Sequence, residues 1–538
     1  MITGSNCMSA ARQVRNILFI MCDQLRPDYL GCTGHPTIQT PNIDALAAKG
    51  VTFRRAYCQA PLCGPSRASF YTGRYMMSHG VTRNEFPVRP DELNIADYLT
   101  PLGMRVALVG KTHMQRDNRG LNRLSVPLAS QVADYVSQCG FEPFERDDGL
   151  HPDPIVSPYL KYNRYLRDLG YEDPNPWNTV ANGAFDDNGE PVSGWYMRNA
   201  ARPARVPDEH SETAYMSRRA IDFMIEAGEQ PWFLHLSYIK PHWPYMVSEP
   251  YNTMYGPDDI LPARRSEVER TNPHPVSEAF MQVPYSKVFA DDAVRRTVIP
   301  TYMGLITQID THLGLVFDYL KKAGRFDDTM IVFTSDHGDY MGDHWLGEKD
   351  YFHEPSIGIP MIIYDPTDAA DATRGTSEDG LVESIDLLPT FYETAGGIDE
   401  QYRLEGQSLL PLLRRVAGES VPWRDTAFAE FDFSARDEVR LALRRQPQDC
   451  RGFIAMTAKW KYVLIDGVDP LLFDLENDPF ELINLGTDAA YADVRSDLHE
   501  RIFAWLRKRH SRVMSSDADI EKFSAQCDAD LGILIGYW

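Results

Sequence analysis

The chain has 538 residues, 43% of them apolar, enough for a large buried core and too many for global disorder. Asp+Glu 77 outnumber Lys+Arg 54, and the formal charge of -23 repels nucleic acid and anionic membranes as extended partners. An anionic substrate must therefore meet a local cluster of cations, and a small substrate suits this field better than a polyanion.

Eight cysteines, at positions 7, 22, 32, 58, 63, 139, 450 and 527, form no CxxC pair, so neither a disulfide framework nor a zinc ribbon is expected. A reducing, cytoplasmic setting is the expectation. Residues 1–15 lack the apolar core of a signal peptide, and the first hydrophobic run, Ile17 to Cys22, is too short to cross a bilayer.

Asn16 to Cys22 has the continuous apolar pattern of a buried parallel strand and ends at Asp23. Thr40-Pro41-Asn42-Ile43-Asp44 reads as a helix start, with Thr40 as N-cap, proline at the first helical position and Gly50 as the stop. Helical patterns follow at Asn94–Leu102, Ser217–Ala227, Val298–Lys322 and Val382–Thr394. Among them, a strand at Arg105 to Val109 delivers Lys111 and His113, one at Trp232 to Ile239 delivers His242, and one at Met330 to Thr334 delivers Asp336 and His337. The alternation predicts a mostly parallel sheet covered by helices on both faces. Four strands ending in polar, ionisable residues place a site at the carboxyl edge of that sheet, where open α/β sheets bind ligands. Segments 125–215 and 248–292, rich in Pro, Asp, Asn and Tyr, read as long ordered insertions around its mouth. Short strands then take over at Thr426–Phe431, Gly452–Ala458, Lys461–Ile465 and Leu471–Asp474, before a helix at Asp493–Arg509.

Cys63-Gly64-Pro65-Ser66-Arg67 is the most informative motif. Residue type alone leaves Cys63 open between a buried structural thiol, an ordinary nucleophile and a site of modification. Cys-x-Pro-x-Arg, continued by Ala68 to Arg74, resembles the stretch of type I sulfatases of the alkaline phosphatase superfamily that a formylglycine-generating enzyme reads before oxidising the cysteine to an aldehyde. Tyr71 stands where such sequences usually have an aliphatic residue. The aldehyde would hydrate to a geminal diol, more acidic than a serine hydroxyl, able to attack sulfur or phosphorus when bound to a divalent metal. Deprotonation of the second hydroxyl then expels sulfate and restores the aldehyde, so no water has to attack the covalent ester.

Asp23-Gln24 and Asp336-His337-Gly338 resemble the sulfatase metal ligands, with residue 63 as a further one. Taken singly, Asp23 fits a strand-end cap and Asp336-His337-Gly338 a turn equally well. Many sulfatases have Asp-Asp and Asp-Asn at these places and bind calcium. Gln24 and His337 instead resemble the phosphonate monoester hydrolase and choline-sulfatase branches, and an imidazole ligand favours Mn2+, with Ca2+ open. Lys111-Thr112-His113 resembles the second sulfatase signature, with Met104 and Val106 replacing its usual Tyr and Thr. The resemblance implies that Lys111 and Lys349 bind sulfate oxygens, that His242 assists the leaving group, that His113 helps deprotonate the second hydroxyl, and that Arg67 orients the diol. Asn84 matches a substrate-contacting asparagine of the phosphonate monoester hydrolase branch and fits a loop turn nearly as well.

Pro470 to Pro479, with Asn484-Leu485 after it, resembles the C-terminal segment of both groups. The implied fold is an alkaline-phosphatase-like α/β domain over 16–419, its mostly parallel sheet sandwiched by helices. A 1–15 extension precedes it; a smaller C-terminal α+β domain with a small antiparallel sheet over 420–515 and a tail at 516–538 follow. The apolar stretch Asp530 to Trp538 is expected to be buried, preferentially on another subunit of a homo-oligomer, a dimer or tetramer. The implied activity is arylsulfatase-like hydrolysis of small sulfate monoesters with promiscuous phosphonate monoester and phosphodiester hydrolysis. A phosphonate monoester hydrolase or phosphodiesterase is the alternative, and a metal-binding protein with unmodified Cys63 is the third reading. Lys111 and His113 favour the sulfatase, because phosphonate monoester hydrolases usually have Tyr and Thr there.

Overall fold

The computed structural model of the chain describes residues 12–84, 86–154, 156–157, 160–398, 402–416, 418–509 and 515–525. The expected contact of Asp530 to Trp538 lies outside them.

Eight strands form the central sheet: β1 (Asn16–Asp23), β2 (Val51–Phe53), β3 (Arg105–Gly110), β4 (Glu142–Arg146), β5 (Trp232–Pro241), β6 (Thr329–Ser335), β7 (Met361–Tyr364) and β8 (Thr376–Glu378). Their order is β8-β2-β7-β6-β1-β5-β3-β4. Only β7 runs against the rest, being antiparallel to β6 and β2, so the sheet is mostly parallel as predicted. β1 sits at its centre because it is apolar on both sides: Ile17, Phe19 and Met21 enter one core, Leu18, Ile20 and Cys22 the other.

Helices α1 (Pro41–Ala47), α2 (Cys63–Thr72), α3 (Ile95–Leu99), α4 (Glu212–Ala227), α5 (Asp292–Lys322) and α6 (Leu387–Thr394) cover the two faces. Phe70 of α2, Leu99 of α3 and Phe391 of α6 fill the first core; Leu46 of α1, Phe223 of α4 and Ile309 of α5 fill the second. Two sequence expectations need correction. Thr40 does not cap α1 with its side chain; the Asp310 carboxylate of α5 accepts the amides of Asn42, at 3.0 Å, and Ile43, at 2.8 Å. A buried acceptor from another helix has replaced the local one. The helix expected over Val382–Thr394 begins only at Leu387, because Val382–Glu383 pairs in parallel with Ala56–Tyr57.

The C-terminal sheet is antiparallel, with β9 (Ala427–Asp432), β10 (Arg451–Met456), β11 (Trp460–Ile465) and β12 (Leu471–Asp474) in sequence order. Period-two alternation divides its side chains. Ala429, Ile454, Val463 and Phe473 join the first core of the main sheet, while Ala455, Tyr462 and Leu472 lie under Leu498 and Ile502 of α7 (Ala492–Lys508). Among the described residues no helix is long and apolar enough to cross a membrane.

Candidate active site

The parallel register brings the ends of β1 and β6 side by side, with Asp23 closing one strand and Asp336 and His337 directly following the other. Cys63 opens α2 and points its sulfur between them. Its Sγ lies 3.1 Å from His337 Nε2 and 3.7 Å from Asp23 Oδ1. Gly64 allows this close approach: a Cβ there would lie 3.0 Å from Asn84 Cα, and its N–H donates to Asn84 Oδ1 at 2.8 Å.

The two carboxylates divide their oxygens. Arg67 Nε donates to Asp336 Oδ2 at 2.8 Å and Arg67 Nη2 to Asp23 Oδ2 at 3.3 Å, while Lys111 Nζ also donates to Asp23 Oδ2. The Oδ1 atoms stay on the other side, 3.8 Å and 3.6 Å from His337 Nε2 for Asp23 and Asp336 respectively. His337 Nδ1 donates to Gly338 O at 2.9 Å, which turns Nε2 inward to Cys63. One ligand atom from each of Asp23, Cys63, Asp336 and His337 lies within 4.8 Å of all the others, and all four residues are buried. Two carboxylate oxygens, an imidazole nitrogen and the residue 63 side chain form a donor set that fits a divalent cation.

The charges around Cys63 explain its acidity. Burial pushes the thiol up, but Lys111, Lys349 and His337 outweigh it and hold it well below the ordinary range. Burial and Cys63 likewise raise Asp23, and Lys111, His242 and Arg67 bring it below its usual value. At His337 burial disfavours the charged ring, whereas Asp336 and Cys63 raise it to about 9.

On the opposite side, Lys349 Nζ donates to Gln24 Oε1 at 2.8 Å and to His242 Nε2 at 2.9 Å. His242 Nδ1 donates to Trp243 O at 2.8 Å, and burial together with Lys349 lowers its pKa to about 4, so the ring is neutral. The amide nitrogen of Gln24 donates to Asp339, placing its carboxamide between Lys349 and that carboxyl group. His113, at φ 58°, is held by Asp148, which accepts the backbone amides of Thr112 and His113 at 2.9 Å and 3.0 Å. Its ring reaches Cys63, and its Nδ1 is buried without a hydrogen-bond partner. Asn84 and His113 are part-exposed, whereas the other nine residues singled out in the sequence are buried, so the mouth lies on the Asn84–His113 side.

The structure adds residues that the sequence did not mark. Ser237 in β5 accepts Arg67 Nη1 at 2.7 Å, and Tyr245 donates to Asp339 at 2.9 Å. Tyr71 donates to His235 Nε2 at 2.9 Å beneath Arg67, which gives its hydroxyl a buried partner. Ser237 and Tyr245 belong to no spaced motif, and Tyr71 lies in the Cys63–Arg74 motif, where the sequence marked only its departure from the usual aliphatic residue. Only Asp148, in Asp147-Asp148-Gly149, carried a turn-like signal.

The sulfatase pattern matches residues 15–398, and the C-terminal pattern of N-sulphoglucosamine sulphohydrolase matches residues 342–508. The chain is 32% identical over 522 residues to the multifunctional alkaline phosphatase superfamily protein PehA of Trinickia caryophylli, spanning 93% of this chain and 97% of that one. It is 28% identical over 486 residues to an arylsulfatase of Clostridium perfringens, with 89% and 91% covered. The solved phosphonate monoester hydrolase of Silicibacter pomeroyi matches with a TM-score of 0.80 at 28% identity, covering 93% of this chain and 96% of that one. Because the family pattern runs from β1 past both aspartates and Lys349, and these relatives match along nearly their whole lengths, the chain belongs to the sulfatase family.

Proposed function

We propose that this protein is a sulfuric ester hydrolase of the arylsulfatase type, cleaving small sulfate monoesters with a formylglycine derived from Cys63, and hydrolysing phosphonate monoesters and phosphodiesters more slowly. The observation that supports this most is Lys111, a buried side chain bonded to Asp23 that also acts on Cys63 and so brings positive charge to the proposed nucleophile. The phosphonate reading draws support from the likeness to the Silicibacter pomeroyi enzyme and from Asn84 at the mouth.

In this proposal Lys111 and Lys349 bind two sulfate oxygens, and residue 63 attacks sulfur while Arg67, anchored on both aspartates, fixes its orientation. A divalent cation held by Asp23, Asp336, His337 and residue 63 would supply positive charge that acidifies the nucleophile, and Gln24 would join as a further oxygen donor by exchanging its Oε1 contact with Lys349 for the cation. Mn2+ suits the imidazole-containing set best, and Ca2+ is the alternative. The Lys349–His242 pair serves the leaving oxygen: His242 is neutral and accepts from Lys349, so the transferable proton starts on the ammonium. The unpartnered nitrogen of His113 then takes the proton of the second hydroxyl, and collapse of the hemiacetal releases sulfate. Cys63 is 1% exposed, so a formylglycine-generating enzyme must meet this segment before α2 packs.

Mass spectrometry of the peptide containing residue 63 tests the proposal, alongside turnover of para-nitrophenyl sulfate before and after strong chelation. Aldehyde or hydrate at position 63 and loss of turnover on chelation are expected. Active protein carrying only unmodified thiol would sink the mechanism.

A further inference from the structure

Lys240 belongs to none of the groups assigned above, yet it is 5% exposed and lies two residues before His242. Its Nζ donates to the carbonyl of Pro244 at 2.7 Å and to Asn182 Oδ1 at 2.9 Å. The first bond ties the start of the 240–244 turn to its end, enclosing His242 and Trp243 in one loop. The second ties that loop to the 125–215 insertion, where Asn182 is itself held by its Nδ2 donating to Trp177 O at 3.0 Å and its carbonyl accepting from Gly194 N at 2.9 Å. Glu212, also buried, supplies an opposing charge without a direct bond; one of its oxygens accepts from Trp177 Nε1 at 3.0 Å and the other has no hydrogen-bond partner.

A buried ammonium is costly, and an apolar side chain of similar length would remove that charge while leaving Pro244 O and Asn182 Oδ1 without their donor. The two bonds of Lys240 do more than satisfy these acceptors. His242 Nε2 meets Lys349 at 2.9 Å only while its ring is turned by the Nδ1 bond to Trp243 O, and that carbonyl lies within the loop that Lys240 closes. We infer that Lys240 is a positioning residue for the leaving-group step: by clamping Pro244 and Asn182 it aims His242 at Lys349 and at the ester's departing oxygen. The inference rests on the assignment of His242 to the leaving group. It makes the insertion, through Asn182, part of the active-site frame.

The test compares the slope of activity against leaving-group basicity in wild type, Lys240→Met, Asn182→Ser and His242→Ala, using phenyl sulfate and para-nitrophenyl sulfate. A poor leaving group needs its proton in the transition state and a good one does not. Lys240→Met should lower kcat/KM for phenyl sulfate about 30-fold and for para-nitrophenyl sulfate by less than about threefold. Asn182→Ser, which removes one of the two acceptors, should show the same skew at about threefold to tenfold. A merely structural role would reduce both esters alike, through the amount of folded enzyme. Equal losses in Lys240→Met, or a wild-type slope in Asn182→Ser should Lys240→Met fail to fold, would overturn the positioning role while His242→Ala keeps its skew. Equal losses on both esters in His242→Ala would overturn the leaving-group assignment itself.

Discussion

On the metal side of the site, Asp23, Asp336 and His337 leave adjacent parallel strands, and each anion there faces a cation fixed from a regular element, Arg67 from α2 or Lys111 just past β3. On the other side, His242 and Lys349, proposed to serve the leaving group, and His113, which reaches Cys63, stand on turns. Glu348 and Asp350, which flank Lys349, and His113 itself all have positive φ, at 60°, 79° and 58°. Asn182 holds the His242 turn through Lys240, Asp148 holds the His113 turn, and Asp339 meets Lys349 through Gln24. In the proposed mechanism the contrast separates two requirements: the strand ends would fix the nucleophile and its counter-charges, while loops and an insertion would set which ester departs. Changes on the first side should stop turnover altogether, and changes on the second should alter preference.

Cys63→Ser breaks the first side most completely. The serine hydroxyl keeps the place of the side chain and can attack, but its ester has no hemiacetal to collapse, so the covalent product accumulates. Multiple-turnover rate should fall at least about a thousandfold, about 4 kcal/mol of barrier, with the fold retained. Circular dichroism and steady-state kinetics check both parts; unchanged steady turnover would refute the diol.

The second test sharpens the contrast at the boundary between the sides, where Lys111 bonds Asp23 and His113 faces the mouth. Replacing the pair as Lys111→Tyr with His113→Thr removes a fixed cation and a base while leaving the strand-end ligands in place. The specificity constant for an aryl sulfate should fall at least about tenfold more than for the matching phenyl phosphonate, or about 1.4 kcal/mol of differential transition-state binding. Equal losses would move the phosphonate reading into first place.

The same division explains what the sequence disclosed. β1, β3, β5 and β6 were legible because continuous apolar runs ending in Asp23, Lys111, His242 and Asp336 admit few other readings. The donor group of Asp23, Cys63, Asp336 and His337 followed from short motifs on those ends. Ser237, Asp339 and Asn182 were not legible, because each acts through a contact made only by the tertiary fold: Asn182 meets Lys240 across 58 positions and Gln24 meets Asp339 across 315. Asp310 capping α1 across 267 positions is the same failure in the scaffold, where a long-range acceptor displaced the Thr40 that local sequence nominated. Spacing reports what one segment does to itself and is silent on partners that arrive from elsewhere.

The smallest effect concerns the platform beneath the metal side, and it tests whether that side is as rigidly neutralised as its hydrogen bonds indicate. His235 in β5 lies under Arg67, stacked on Phe19 at 4.6 Å; its Nδ1 donates to Phe19 O at 3.2 Å and its Nε2 accepts from Tyr71. Burial, followed by Arg67, lowers its pKa from 6.5 to about 3, so the folded protein keeps it neutral. In the unfolded chain the ring regains its ordinary value and takes up a proton as pH falls through about 6.5. Below that point the unfolded state binds the extra proton, so this contribution to stability is complete above about pH 6.5 and is lost progressively down to about pH 3. His235→Gln cannot titrate and can still offer one donor and one acceptor to Phe19 and Tyr71. Between about pH 7.5 and pH 6, unfolding free energy from urea titration should fall about 0.8 kcal/mol more in wild type than in the variant. His79, also buried and held to about 3 by burial and Arg74, titrates in both proteins and cancels from the difference. A variant as pH-sensitive as wild type would mean that His235 is charged in the folded protein and that Arg67 sits on a second cation.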